Sequence, residues 1–478
     1  MKEMFRKIHI KITLIIGLCF LLNSTGYLAW VYHLMTMVAP KTADALSMGA
    51  GYLAQAAGLI LFALFLRQKE ALADTSLYIS LFLNMLCLLP AILSRGLLPT
   101  ILFGLLLNLC YGWIAGYYLY RLTSATASGG LASSLGVGYS ASIIASWLLS
   151  LIGYGSKTGL DYSSCILIIC LILSTIIILV VQWKRAQCDT KANEGASLSQ
   201  SFQFAGEKDL GQSLWILFGM IVIFSIVNSC GFNFPSAHLQ NKISIEFSRL
   251  FYGAGLVIAG LVNDRNRRYG AICALAALVV PFIMLALKEE PVPVLVFWAL
   301  GYFTFGFYTI YRIILFSDIA TSKNILWMSG FGLLAGRIGD AAGEGLNLIL
   351  SEHVTVFIVI TAALFFLSVF LFFQTDQILY QPKAERQKSE EEIFNLFSAR
   401  HDFTARERDV FRLILQEKSN TDIAEDLAVS DSTVKFHIHN ILQKTGCKNR
   451  IVLIAHYFGN GDKNYEEKSN YKNSRNRL

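Results

Sequence analysis

The stretch CILIICLILSTIIILVV, from Cys165 to Val181, contains no charged side chain. Crossing the roughly 30 Å hydrocarbon core of a bilayer takes about 20 apolar residues in a helix. With its flanking residues this run is long enough to cross. In lipid only helices and closed barrels satisfy the backbone hydrogen bonds, and so uniformly apolar a run does not suit a barrel strand. The stretch therefore predicts a membrane-spanning helix.

Similar apolar runs continue on both sides of it, from the N-terminal region to about residue 375. The whole sequence is 54% hydrophobic and only 15% charged, whereas soluble globular chains carry about 25% charged residues. We predict about twelve membrane helices, in the runs 12–38, 44–66, 75–94, 97–120, 131–154, 162–183, 213–234, 247–263, 270–287, 292–316, 325–350 and 353–374. The lipid bilayer is thus the first expected partner.

Lysine and arginine fall unevenly on the two sides of these runs. Loops of one set contain about three times as many as loops of the other. Because cytoplasmic loops are enriched in both residues, we expect a multi-pass protein of the cell membrane with both termini in the cytoplasm. The richer set holds Lys2, Arg6, Lys7, Lys11, Arg67, Lys69, Arg121, Lys184, Arg185, Lys191, Lys208, Arg265, Arg267, Arg268 and Lys323.

Six runs precede a polar stretch at about 184–212 and six follow it, which suggests two structural repeats around a central cavity. The loop Gly260–Arg268 (GLVNDRNRR) resembles the cytoplasmic loop motif of the major facilitator superfamily at Gly260, Asp264, Arg265 and Arg268. It departs from that motif at Asn263 and Arg267, and the first-half loop 67–70 lacks it. The alternative is a simple basic loop. The resemblance bears on fold and does not establish transport.

Charged residues stand inside these apolar runs, among them Arg249 near the start of the eighth run and Arg312, Arg337, Asp340 and Glu344 further on. The last three are spaced by three and four residues, so they share one helix face. An ionisable group inside a membrane is costly and usually functional. We expect this face, with Arg312, to line a cavity for a small polar ligand or a proton. An internal ion pair that joins helices is the alternative.

The composition changes after residue 375. We expect a membrane bundle at 1–375, a linker at 376–400 with a short helix from Glu390 capped by Ser389, a compact domain at 401–459 and a disordered tail at 460–478. Within the compact domain, Thr404 and Glu407 form a capping box. Further helices are predicted to open near Asn420 and at Ser430, the latter ending at Gly446, with a fourth from about Asn449.

Two short helices joined by a tight turn, the second with a polar and partly basic face, are typical of a helix-turn-helix. The helix that opens at Ser430 is the one expected to enter the major groove of double-stranded DNA. A small helical module for protein contacts is the alternative. The candidate DNA-binding residues are Ser432, Thr433, Lys435, Phe436, His439, Asn440, Gln443, Lys444, Lys448 and Arg450.

This segment also resembles the LuxR-type DNA-binding domain. The matching residues are Thr404, Arg406 and Glu407, then Ser419-Asn420, then the run SDSTVKFHIHNI from Ser430 to Ile441, and finally Lys444 and Gly446. Glu417-Lys418 replaces the usual glycine-containing turn, and Cys447 replaces a small aliphatic residue. The resemblance implies a four-helix domain that binds DNA, with a homodimer contact through the fourth helix.

Together these features predict an all-α protein: a polytopic membrane bundle of about twelve helices in two six-helix halves, followed by a C-terminal four-helix helix-turn-helix domain. The favoured function is a membrane-anchored transcription regulator whose bundle senses a small ligand or a membrane signal. The alternative is an active transporter with an appended regulatory domain. We expect no enzyme activity, cofactor or metal site, because the sequence holds no phosphate-binding loop, nucleophile elbow or metal-ligand spacing.

Overall fold

The structure is a computed structural model, and it describes residues 9–125, 130–155, 162–182, 210–239, 245–280, 291–350, 352–379, 390–416 and 418–460. The chain divides into two compact units, Met1–Gln381 and Pro382–Leu478. All regular elements in the described residues are helical, which confirms the predicted all-α class. Most of the predicted loop at 184–212, the predicted cap Ser389 and all but the first residue of the predicted tail lie outside the described residues.

The first unit consists of long helices connected by short turns. The helix at Pro40–Asp44 continues through a π-helical turn, Ala45–Ala50, into the helix at Gly51–Lys69, and the helix at Ala73–Leu93 contains Pro90 in its last turn. The helices are α1 (Ile10–Met35), α2 (Pro40–Asp44), α3 (Gly51–Lys69), α4 (Ala73–Leu93), α5 (Leu97–Ala125), α6 (Leu131–Gly155), α7 (Tyr162–Gln182), α8 (Leu210–Leu239), α9 (Ile245–Arg265), α10 (Arg267–Ala277), α11 (Pro291–Ser322), α12 (Phe331–Leu350) and α13 (Val354–Leu379).

Eight segments of the described chain are long and apolar enough to cross a membrane. One of them, Pro40–Leu93, is 54 residues long and contains both α3 and α4. Helix α12 is not among the eight, because it carries three charged residues, Arg337, Asp340 and Glu344, in its apolar sequence. The eight apolar segments agree with the predicted multi-pass bundle.

The two halves of the bundle meet along closely packed helix pairs. Helix α6 packs along α9, and α3 packs along α12. The close approach depends on glycine: a Cβ at Gly136 would collide with the carbonyl oxygen of Leu256, and one at Gly260 with that of Ala132. Small residues let helix backbones approach in a membrane, where apolar burial adds little to association.

The loop between α9 and α10 joins the two halves with charged groups. The Asp264 carboxylate accepts hydrogen bonds from the backbone amides of Ala132 and Ser133, at 3.0 and 2.8 Å, in the first turn of α6. A carboxylate is stabilised there by the unpaired amides and the helix dipole. Arg267, which departs from the major-facilitator motif, donates to Asp264 at 3.1 Å and to Asp318 of α11 at 2.7 Å.

The second unit comprises α14 (Glu390–Arg400), α15 (Ala405–Leu415), α16 (Asn420–Asp426), α17 (Asp431–Thr445) and α18 (Arg450–Asn460). The predicted capping box is confirmed, since Thr404 and Glu407 exchange hydrogen bonds between side chain and backbone. Ser419 and Ser430 cap α16 and α17. Gly446 ends α17 with a φ of 68°, a left-handed conformation that glycine adopts readily.

This unit has an apolar core made from its own helices. Phe394 and Phe397 of α14 stack against Phe411 of α15, with ring centroids 5.6 and 5.3 Å apart. Tyr457 of α18 meets Phe411 edge-on. Two stretches of the predicted linker 376–400 are thus helical: α13 ends at Leu379, and α14 contributes to the core of the second unit. Residues 380–389 between them lie outside the described residues.

Candidate DNA-binding face and intramembrane cavity

Helix α17, which we call the recognition helix, buries one face and exposes the other. Val434 and Ile441 are fully buried in the core of the second unit, and seven residues separate them, which is two helical turns. The opposite face is open: Phe436 is 61% exposed although it is a large aromatic residue. The other predicted contact residues with exposed side chains are Ser432, Lys435, His439, Gln443, Lys444 and Lys448, while Thr433, Asn440 and Arg450 are half-buried.

Three of the predicted basic contacts already have partners within the unit. The ammonium group of Lys444 donates to Glu407 Oε2 at 2.7 Å and to the carbonyl oxygen of Asp402 at 2.8 Å. Arg450 donates to the carbonyl oxygens of Ile414 and Lys418. Lys435 pairs with Asp431 at 2.7 Å, but both of these side chains are exposed, so that ion pair is weak.

Among the described acidic residues of this unit, Glu407 is the most buried. It is only 3% exposed, and burial by itself raises the pKa of a carboxyl group. Hydrogen bonds from Lys444 and from Thr404 outweigh that effect and hold the pKa of Glu407 below its ordinary value of 4.5. The charged form is therefore part of the folded structure, because it links α15 to the end of the recognition helix.

The charged residues predicted inside the membrane unit lie together. Arg312 Nη1 of α11 and Arg337 Nη1 of α12 both face Oδ2 of Asp340, at 3.2 and 3.7 Å. The guanidinium of Arg312 also lies over the ring of Tyr308, and that of Arg337 lies over the ring of Tyr52, 4.3 Å from its centroid. Glu344 is buried one turn beyond Asp340, at 2% exposure.

This cluster borders two adjoining cavities inside the membrane unit, of about 250 and 280 Å³. Arg337 lines both of them, whereas Arg312 and Asp340 line the larger one. Glu344 lines neither, so it is the one residue of the predicted set that the structure leaves outside the site. Helices of both halves contribute to the walls, for example α1 through Phe20 and α11 through Phe305.

The comparisons with known proteins concern the two units separately. The profile of the family described as "Bacterial regulatory proteins, luxR family" matches residues 401–457. The spore germination protein GerE of Bacillus subtilis (strain 168) is 38% identical over 66 residues, which are 14% of this chain and 89% of that protein. This chain belongs to the LuxR family.

Two further relatives from Bacillus subtilis (strain 168) match the same LuxR-family segment. The uncharacterized transcriptional regulatory protein YxjL is 44% identical over 59 residues, and the uncharacterized transcriptional regulatory protein YvfU is 37% identical over 68 residues. The match spans only 27% and 34% of those two proteins and 12% and 14% of this chain. The family membership therefore concerns the C-terminal unit.

The membrane unit is similar in fold to a different protein. The crystal structure of the human organic anion transporter MFSD10 (TETRAN) superposes with a TM-score of 0.56, and the superposition covers 76% of this chain and 99% of that one. Sequence identity is 14%, so the likeness concerns the fold alone. The predicted major-facilitator-like architecture of this LuxR-family chain is confirmed at that level.

Some features of the cavity could not be found from the sequence. Its aromatic wall residues, among them Tyr52 and Tyr252, come from distant segments and share no spacing. The glycines of α12 did give a signal: Gly332 and Gly336 are four residues apart, and a Cβ at either would collide with Arg312. This spacing of small residues marks the close contact of α12 with α11 that places Arg312 beside Asp340.

Proposed function

We propose that this LuxR-family chain is a membrane-anchored, sequence-specific transcription regulator whose membrane unit senses a small ligand. The single observation that carries the sensing half is the cavity of about 280 Å³ beside Arg312, Arg337 and Asp340, on the same chain as a LuxR-type domain. A ligand that prefers one arrangement of the two halves would shift the equilibrium between arrangements.

The recognition helix is the DNA-reading element of this proposal. Its exposed face offers Lys435 and Lys448 to phosphates and His439, Asn440 and Gln443 to base edges. Ser432 and Thr433 lie in its first turn, where backbone amides and hydroxyl groups suit a phosphate. We assign Lys444 and Arg450 a smaller share of the DNA contact than the sequence suggested, because both are hydrogen-bonded within the unit.

The regulator binds DNA as a homodimer in this proposal. Helix α18 exposes two neighbouring apolar residues, Ile451 at 77% and Val452 at 44%. Two such helices packed together would bury these side chains. Paired recognition helices read two half-sites about one helical turn of DNA apart.

The proposed location is the cell membrane. Both termini would lie in the cytoplasm, where the DNA-binding unit can reach DNA. The excess of lysine and arginine in alternate loops supports this orientation. In the sequence, ten residues, 380–389, separate the last membrane helix from α14.

The test uses the full chain in lipid nanodiscs incubated with sheared genomic DNA, followed by sequencing of the retained fragments. Wild-type protein should enrich a small set of sites. Deletion of 401–459, or the pair Lys435→Ala and Asn440→Ala, should abolish that enrichment. Arg406→Ala is the matched control, because Arg406 is an exposed arginine of α15 that pairs with Asp409.

Unchanged retention after the deletion would contradict the DNA-binding half of the proposal. The sensing half is tested by repeating the capture with candidate solutes, which should change the amount of retained DNA. Proteoliposome uptake of the same solutes is measured in parallel. Flux of a solute without any effect on DNA retention would favour a transporter over a sensor.

A further inference from the structure

The charges that face the cavity do not balance. Two guanidinium groups, those of Arg312 and Arg337, share the single carboxylate of Asp340. Asp340 is the one acidic residue among the described residues that line either cavity. Glu344 does not line the cavities. The lining of the larger cavity therefore carries two cations and one anion, and an uncompensated charge is costly inside a membrane bundle.

Arg337 is the cation best placed to meet a ligand. Arg312 Nη1 is already hydrogen-bonded to Tyr308 and Asp340. The guanidinium of Arg337 makes no hydrogen bond to a described residue, and its ion pair with Asp340 is longer, at 3.7 Å. It lines both cavities, and the ring of Tyr52 lies against one of its faces. Its planar donors match the two oxygens of a carboxylate.

Aromatic rings form a large part of the remaining wall. Tyr252 and Phe305 stack with ring centroids 5.0 Å apart, and Phe20 stacks on Tyr139 at 4.1 Å. Flat ring faces of this kind suit a planar apolar body. The aromatic residues common to both cavities are Phe20, Tyr52, Tyr252, Tyr302 and Phe305.

We propose that the ligand is an amphipathic organic monoanion, with one carboxylate-like group bound by Arg337 and a flat apolar body among the aromatic rings. This inference rests on the proposed sensing function, and it adds the chemical class of the ligand. A cation would meet two arginines and a carboxylate that is already paired. A neutral ligand would leave the surplus charge uncompensated.

The experiment measures equilibrium binding to the full chain in nanodiscs of phosphatidylcholine, which has no net charge. Three probes of the same shape are compared: 2-naphthoate, the neutral 2-naphthamide and the cationic (2-naphthyl)methylammonium. Naphthoate should bind at least about tenfold more tightly than the other two, since a charge-assisted bidentate pair is formed only with the anion. Thermal melts of each variant check that it is folded.

Two cavity variants should change naphthoate binding in opposite directions. Arg337→Gln should weaken it at least about tenfold, and Asp340→Asn should strengthen it, because the carboxylate that competes for both arginines is gone. If Arg337 and Asp340 had only a structural role, both substitutions would weaken naphthoate binding. Arg95→Gln is the matched control, because Arg95 is exposed and lines neither cavity.

Failure of this inference and failure of the proposed function give different results. Equal or tighter binding of the amide or the ammonium probe, no binding of naphthoate, or naphthoate binding that Arg337→Gln leaves unchanged would each overturn the monoanion assignment. None of these results affects capture of genomic DNA by the same nanodiscs. Loss of that capture in the wild-type chain would contradict the regulator proposal instead.

Discussion

The ammonium group of Lys444 lies 2.7 Å from Oε2 of Glu407, so the C-terminal end of the recognition helix is joined to the first turn of α15. The same carboxylate oxygen accepts the backbone amide of Thr404 at 2.8 Å. One side chain thus caps a helix and holds the recognition helix in place. The orientation of the DNA-reading face depends on this contact as well as on the apolar core.

Lys444→Met should destabilise the LuxR-type unit. The substitution leaves the buried Glu407 carboxylate without its ion-pair partner, and hydrogen bonds to charged groups contribute about 1.5–3 kcal/mol. Because Lys444 itself is about one-third exposed, we expect a loss of about 1–2 kcal/mol in the free energy of unfolding. Urea unfolding of the fragment 382–478, which has a core of its own, measures it. Lys448→Met is the exposed control, and an equal loss there would refute the assignment.

The stability of the same fragment should fall in acid, in two stages. Burial lowers the pKa of His401 from its ordinary 6.5, so the unfolded chain takes up that proton first, and stability decreases as the pH falls below 6.5. The pKa of Glu407 is below 4.5 in the folded unit, so a second decrease follows below that pH. Unfolding free energies measured from pH 8 to pH 3 should show both.

Two variants separate the stages. His401→Asn should remove the decrease between about pH 6.5 and 5, and Glu407→Gln should flatten the one below about pH 4.5. Each variant should retain the decrease in stability that belongs to the other residue. A pH profile that neither variant alters would show that other groups control acid unfolding.

Lys435→Met should weaken DNA binding uniformly across sequences, since Lys435 is expected to contact phosphate. Loss of one phosphate contact lowers the slope of log affinity against log salt by about one. Asn440→Ala should instead relax the preference for one base. Arg406→Met removes the same charge from an exposed site on α15, and an equal change in slope for it would argue for a non-specific charge effect. Titrations at several salt concentrations measure these quantities.

Gly332→Ala should destabilise the membrane unit and displace Arg312. The added Cβ would collide with the backbone carbonyl of Arg312, and overpacking of this kind costs typically about 1–3 kcal/mol. The midpoint of thermal unfolding in detergent should drop. Gly345→Ala, on the same helix, is the matched control, because a Cβ there meets nothing within 4 Å. Equal midpoints of thermal unfolding for the two variants would contradict the close packing of α12 on α11.

Much of the architecture could be predicted because it depends on local chemistry. Apolar runs that are long enough to cross a bilayer can be recognised directly in the sequence. The capping signals at Thr404, Ser430 and Gly446 act within a few residues. For the same reason the recognition helix was located correctly to within a residue at each end. The shared face of Arg337 and Asp340 likewise followed from helical spacing alone.

The partners of individual charged groups could not be predicted from local sequence patterns. Lys444 and Arg450 look like further DNA contacts in the sequence, yet they bind groups 37 and 36 residues away. The sequence places helix α14 in a polar linker. In the structure, Phe394 and Phe397 are buried because they pack against residues of α15 and α18. Which residues a side chain meets depends on packing between segments that are distant in the sequence.

The sequence by itself determined a helical membrane bundle, a LuxR-type domain after it, and a charged face on one buried helix, because helix periodicity, membrane thickness and capping are short-range properties. Only the tertiary structure decided that Arg312 and Arg337 share one carboxylate at a cavity lined by aromatic rings. The physical reason is that electrostatic balance is set by distances in space, and the glycines of α12 bring α11 close enough to set those distances.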